Sequence, residues 1–322
     1  MRPAPSVILL TTLIGVGQGL FAALYTAQVF DRIGLIQGPT SPVFYPLGCA
    51  IALAFLAVGL GASFFHLGRP ERAWRAAAMW RTSWLSREVI VLPAFMSCVF
   101  LYGMGHYLGW PQHRIVPGVD ATLVIGALGI VLCALLFLCT GMIYACLKFL
   151  QEWHTPLTVI NYLLFGSASG LMLATAYAAI VEPGVVRFFA AWAVGFTLAA
   201  LVGRGASLVR NARLKPRSTL QTAIGVKHPR IVQSSQGFMG GSFNTREFFH
   251  DMSSAWMRSV KWMFLLAVFP IPLALLAAGL LGGVPALLAV AFLVQYAGLL
   301  AERWFFFAQA NHPQNLYYQR IS

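Results

Sequence analysis

The sequence predicts an all-α polytopic membrane protein, one bundle of eight transmembrane helices with both termini on the same side. Three observations carry that prediction. Of 322 residues, 59% are hydrophobic and only 10% are charged, with a mean hydropathy of +0.74. A soluble domain carries about 25% charged residues, and a soluble surface would need polarity that this chain lacks. Apolar runs long enough to cross a hydrocarbon core, about 20 residues each, recur eight times. The cations between these runs fall almost entirely on one side.

The first run, 6–30, is too long for a signal-peptide core and lacks a small-residue cleavage site, so it reads as a span. It carries Gly15, Gly17 and Gly19, and the second run, 44–66, carries Gly59 and Gly61. Small residues let helices approach closely in lipid. The third run is 87–108, with Ser86 as a candidate N-cap. The fourth, 119–147, is long and is expected to tilt or to extend beyond the lipid. Runs five and six, 157–181 and 185–206, are separated by Glu182-Pro183-Gly184. Runs seven and eight, 260–281 and 284–307, are separated by Gly282-Gly283. Both separations suit tight turns between antiparallel helices. No internal repeat is evident, and 1–322 reads as a single integral membrane domain. Its one long polar segment, 207–259, contains Phe238, Phe243, Phe248, Phe249 and Trp256. Long loops are usually functional or disordered; the aromatics favour an ordered loop that docks a partner.

The net charge is +13, from 22 Lys and Arg against 9 Asp and Glu. In a soluble protein that excess would suggest nucleic acid. Here the loops explain it, and no nucleic-acid partner is expected. Eight crossings place both termini on one side, called side A. Only Arg32, Arg114 and Arg187 fall opposite, leaving 19 of the 22 cations on side A. Cytoplasmic loops carry such an excess, so side A, both termini and the 207–259 loop are expected in the cytoplasm of a bacterial inner membrane.

The five cysteines, Cys49, Cys98, Cys133, Cys139 and Cys146, lie in apolar stretches without a CxxC pair. They suit packing better than a disulfide framework, an iron–sulfur ligand set or any metal site. His66 and His106 fall at opposite ends of runs two and three, and His113, His154, His228, His250 and His312 lie in loops or the tail. No two face each other to clamp a haem, so none is expected in this chain.

The most informative stretch links runs two and three. His66-Leu67-Gly68-Arg69-Pro70 is followed by Ser83-Trp84-Leu85-Ser86-Arg87-Glu88. His66 ends one helix and Glu88 begins the next, so both lie at the side A boundary, with Glu88 expected in the first helical turn. Quinone carbonyls need hydrogen-bond donors, and two-electron reduction takes up two protons. A His and a partly desolvated Glu suit that exchange, and ionisable groups at membrane depth are functional candidates. The same residues also fit a boundary His and an interfacial Glu paired with neighbouring arginines. Tyr102, Tyr107, Asn161 and Tyr162 suit helix packing. The cations Arg204 to Arg217 and Lys227 to Arg230 suit either a docking face or anionic lipid. A secondary transporter would need broken helices or charges near mid-span, and the eight runs read as uninterrupted.

These motifs, with the Pro5-Ser6-Val7 to Gly19 opening and the eight-span layout, resemble the membrane anchor subunit of dimethyl sulfoxide reductase-type molybdoenzyme complexes. The resemblance covers nearly the whole chain. It implies partners, a molybdopterin catalytic subunit and an iron–sulfur subunit, with a quinone (ubiquinone or menaquinone) bound in a haem-free anchor. It further implies that His66, Gly68 and Glu88 bind quinone, with Arg72 and Arg87 beside them and Glu88 and His66 in catalytic roles. Arg213 or Arg217 matches a functional arginine of the long loop. Lys227-His228-Pro229-Arg230 and the stretch from Gly237 to His250 look most like the anchor of cytoplasmic sulfite-oxidising (sulfite dehydrogenase, quinone) complexes. A menaquinol-oxidising anchor of a dimethyl sulfoxide or related reductase is the alternative.

Overall fold

The fold is taken from a computed structural model that describes residues 1–116, 118–232, 234, 248–313 and 315–318. Eight helical stretches are long and apolar enough to cross a membrane. They are α1 (Pro5–Arg32), α2 (Phe44–Ser63, continued by a 3-10 turn Phe64–His66), α3 (Trp84–Tyr107), α4 (Ala121–Ala145), α5 (Pro156–Val181) and α6 (Val186–Ala212). After a short α7 (Leu220–Ile224) come α8 (Ser254–Val268) with α9 (Pro270–Gly282), which together make the seventh crossing, and then α10 (Pro285–Ala308) and a last turn, α11 (Asn315–Tyr318). A two-stranded antiparallel pair, Arg114–Val116 with Val119–Asp120, joins α3 to α4.

Helix starts follow local chemistry. Asp120 accepts from the amides of Thr122 and Leu123, Thr155 accepts from Leu157, and prolines occupy the first turns of α1, α5 and α10, where a missing N–H costs nothing. Gly283 ends α9 at φ +63°, a left-handed position that glycine adopts without strain.

Helix α1 is the hub, packed on α2, α4, α5 and α10. Its closest approach is to α5. A Cβ at Gly19 would collide with the Gly166 carbonyl oxygen, and one at Gly170 would collide with the Gly19 backbone. The two backbones touch, as small residues allow in lipid. Around this seam Phe21 meets Phe95 and Tyr102 edge-to-face at 5.4 Å. Val58, Phe100, Val131, Ile180, Val202 and Leu293 are exposed, as lipid-facing side chains should be. The amino group of Met1 donates to the Ala310 carbonyl at 2.8 Å, so the start of α1 and the end of α10 adjoin.

Four sequence expectations need correction. Ser83, not Ser86, caps α3, accepting from the Ser86 amide. Helix α4 spans Ala121–Ala145, 25 residues, two fewer at each end than the 119–147 run. Helix α6 runs through Ala212 into the supposed loop. The seventh span is interrupted: α8 stops at Val268 and α9 restarts at Pro270, because proline lacks an N–H and its ring clashes with the preceding turn.

Candidate functional site

The cap at Ser83 decides where Glu88 sits. With Trp84 as the first helical residue, Glu88 falls beyond the first turn, and no acidic residue occupies that turn. The helix-terminus argument for Glu88 therefore fails. Instead the carboxylate points into the bundle, 8% exposed, and accepts a hydrogen bond from the Thr140 hydroxyl of α4. It lines a cavity of about 20 Å³ shared with Thr12 and Gln18 of α1, Phe137 of α4, Tyr162 of α5 and Arg303 of α10. That is room for about one water, and too little for a quinone ring.

The other expected site residues lie elsewhere. His66 closes the 3-10 turn and is exposed beside Phe65, which is 88% exposed. Gly68 is exposed, and a methyl group placed on its Cα would have nothing within 4 Å. Arg72 is exposed, with Nε 3.8 Å from Glu71. Arg87 donates to the carbonyls of Trp80 at 2.9 Å and Arg81 at 2.8 Å and stacks over Trp84 at 4.2 Å. None of these four lines the Glu88 cavity. They lie instead in or beside the link from α2 to α3, here called the shelf, which includes the 3-10 segment Pro70–Met79 and exposes Trp74 and Trp80; exposed tryptophans near the end of an apolar helix suit the headgroup level.

A third group escaped the sequence reading. Glu302 of α10 is fully buried, with Oε1 2.9 Å from Arg204 Nε of α6 and Oε2 accepting from Arg303 Nε at 2.6 Å. Arg204 lies over Phe264 and Phe305, and Arg303 over Tyr162 at 4.2 Å and Phe306 at 5.0 Å. The signal was present as an acid and two arginines inside apolar runs. Arg204 and Arg303 fall at the side A ends of their runs, where sequence alone does not distinguish a buried cation from a loop cation. Buried charges survive only when paired, and here two cations share one direct anion. Asn161 and Tyr162 adjoin this group; Asn161 donates to Ser207 at 2.7 Å, tying α5 to α6. All five cysteines are free and four are buried. Among the described residues no cluster of His, Cys, Asp or Glu is placed to hold a metal ion.

Comparison with known proteins gives this arrangement a context. The family of the DMSO reductase anchor subunit (DmsC) matches residues 45–309. A sulfite dehydrogenase subunit of Allochromatium vinosum is 56% identical over 326 residues, covering 100% of both chains. This chain belongs to the DMSO reductase anchor family.

In this anchor the polar loop on side A differs from its expected form. Phe238 and Phe243 lie outside the described residues. Phe248 and Phe249 are buried within the chain; Phe248 stacks on His312 at 3.8 Å and its carbonyl accepts from Asn315. Trp256, half exposed, stays available. Arg204 is buried, and Arg210 is committed to the carbonyls of Gln151 and His154. Arg213 and Arg217 are exposed, and Arg217 reaches the Lys148 carbonyl at 3.3 Å. Burial holds both His250 and His312 below the ordinary imidazole value.

Proposed function

We propose that this anchor subunit passes electrons from an iron–sulfur partner to membrane quinone during sulfite oxidation, with the molybdopterin chemistry in a further subunit. The observation that carries the reading is the 56% identity to a sulfite dehydrogenase subunit along the whole of both chains. Side A, with its 19 cations, is taken as the cytoplasmic face of a bacterial inner membrane, so the soluble subunits dock there on the exposed parts of 67–87 and 207–259.

The division between shelf and cavity suggests the roles. The quinone head group is too large for the Glu88 cavity, so it rests against the bilayer-edge shelf, where His66 donates to a carbonyl and Gly68 leaves the backbone open to close approach. Arg72 and Arg87 hold the shelf and its charge. Glu88 delivers protons through water rather than touching the ring. Sulfite and water yield sulfate, two protons and two electrons; the quinone takes up two electrons and two protons. Both proton exchanges fall on side A, so this step alone builds no membrane potential.

The test uses the purified complex. Glu88→Gln keeps size and hydrogen bonding but removes the titratable proton, and quinone reduction should fall at least about tenfold, the low end for losing an acid–base group. Dye-linked sulfite oxidation should persist, and His66→Ala should raise the KM for quinone. Quinone reduction at the normal rate in Glu88→Gln would remove the relay role. A reduced-minus-oxidised spectrum of the same preparation checks that the anchor is haem-free: a stoichiometric b-type band from this chain would count against it. Quinol oxidation coupled to sulfoxide reduction, with no sulfite activity, would support the reductase alternative.

A further inference from the structure

The Glu88 cavity has a neighbour. A second internal space of about 10 Å³ is lined by Glu152, Thr158, Asn161, Arg204, Ser207 and Arg303. Arg303 lines both spaces. Glu152 lines the second space and also a wide groove open on side A, beside Arg217 and Asn311. Three compartments thus follow one another, with one lining side chain common to each neighbouring pair. Each internal one is near the size of a single water.

The groups between them are built to hold water. Asn161 Oδ1, Arg204 Nη2 and Arg303 Nη1 are buried atoms without a hydrogen-bond partner among the described residues, and the Tyr162 hydroxyl lies beside them, facing Arg303 and Tyr144. Their residues are all at least nine-tenths buried. Unsatisfied buried polar atoms are costly, and ordered water is their usual remedy. The charges add a second reason. Arg204 and Arg303 share one direct anion, Glu302. Glu88 and Glu152 line the spaces on either side of Arg303.

We propose that Glu152, the water-sized spaces flanking Arg303, and Tyr162 form a proton route from side A to Glu88. Resting on the quinone reading above, it supplies the proton source that reading lacks. A proton enters from side A water at Glu152, crosses the Asn161 space, passes Arg303 by way of the Tyr162 hydroxyl and reaches Glu88. Each quinone takes two such protons together with two electrons from the iron–sulfur partner. Arg303 and Glu302 carry no proton; they orient water and hold the charge balance.

The experiment compares Glu152→Gln, Tyr162→Phe and Glu88→Gln in the assembled complex, with dye-linked sulfite oxidation as the check on assembly. Tyr162→Phe keeps the ring under Arg303, so the fold is preserved. Expected is a fall of fivefold or more in quinone reduction for Glu152→Gln and for Tyr162→Phe, a larger solvent deuterium isotope effect, and partial recovery of Glu152→Gln with millimolar acetate as a mobile proton donor. Normal rates in both variants, with Glu88→Gln slow, would overturn the route and leave the quinone reading standing. Slow variants with no isotope effect and no recovery would make these residues structural, and overturn the route equally. A normal rate in Glu88→Gln would overturn both.

Discussion

Two buried polar clusters lie near opposite ends of the bundle, and they complete their hydrogen bonding differently. Away from side A, Asp120 accepts from Arg32 at 2.7 Å and from the amides and hydroxyl at the start of α4; Gln28 donates to Thr122 at 2.6 Å and accepts from Tyr102 at 2.9 Å. Around that chain of bonds, among the described residues, only the His106 Nε2 atom is without a partner. On side A, the Glu302 cluster leaves several polar atoms unpartnered, and two small spaces lie beside them. A closed network rigidifies a helix junction and has no room for a guest. An open one is tolerated where water takes part. Under the proposed proton route, that difference rather than residue type marks the open cluster as the working one, since both contain arginine, a carboxylate, tyrosine and amides.

The largest expected contrast comes from removing each cluster's anion. Glu302→Ala strands two buried guanidinium groups, and removal of one partner from a buried ion pair costs about 3–5 kcal/mol. The variant should accumulate poorly in membranes, and what is extracted should unfold well below the parent temperature. Wild-type yield and thermal stability in this variant would mean that water already satisfies the arginines.

Asp120→Ala should do less. It removes the cap of α4, worth about 0.5–2 kcal/mol, and frees Arg32, whose side chain is 31% exposed and can turn to water. A fall of a few degrees in unfolding temperature is expected, with quinone reduction per assembled complex unchanged. Loss of turnover beyond the loss of protein would show that the far cluster also serves the reaction.

The legibility of the sequence divides along the same line. Eight spans were readable because hydrocarbon demands about 20 apolar residues per crossing, and the Pro183-Gly184 and Gly282-Gly283 turns because those residues end helices. The Pro270 break was hidden because an apolar run looks continuous whether or not its hydrogen bonds are. Ser83 and Ser86 are equally good caps in sequence; Trp84 and Leu85 extend the helix back to the former, which carries Glu88 inward. The Glu302 pairing joins helices far apart in the chain, and no local pattern reports such a contact. Glu88 was therefore found by its motif, while its Thr140 partner and Arg303 neighbour required the fold.

The smallest effect concerns what covers the two clusters. The far one lies under short connections, whereas side A is covered in part by the 248–250 segment, with His250 near Trp304 at 6.2 Å and Phe248 stacked on His312. Burial lowers both histidines, and the nearby N-terminal amino group lowers them further, while a backbone hydrogen bond at Ala308 and then Asp251 oppose this for His250. A histidine whose folded value lies below its unfolded one binds more protons when the segment is released. Its stabilisation is therefore complete above the unfolded value, about 6.5, and is lost as pH falls through the folded value. Corrected for the intrinsic rate, hydrogen exchange at 248–252 should become faster on the order of a fewfold from pH 7.5 to 5.5, while amides of 120–123 stay unchanged. Replacing both histidines, as His250→Phe with His312→Phe, should abolish the acceleration. If the parent segment exchanged at a pH-independent intrinsic-corrected rate, the packed neutral histidines would not be what holds this cover down.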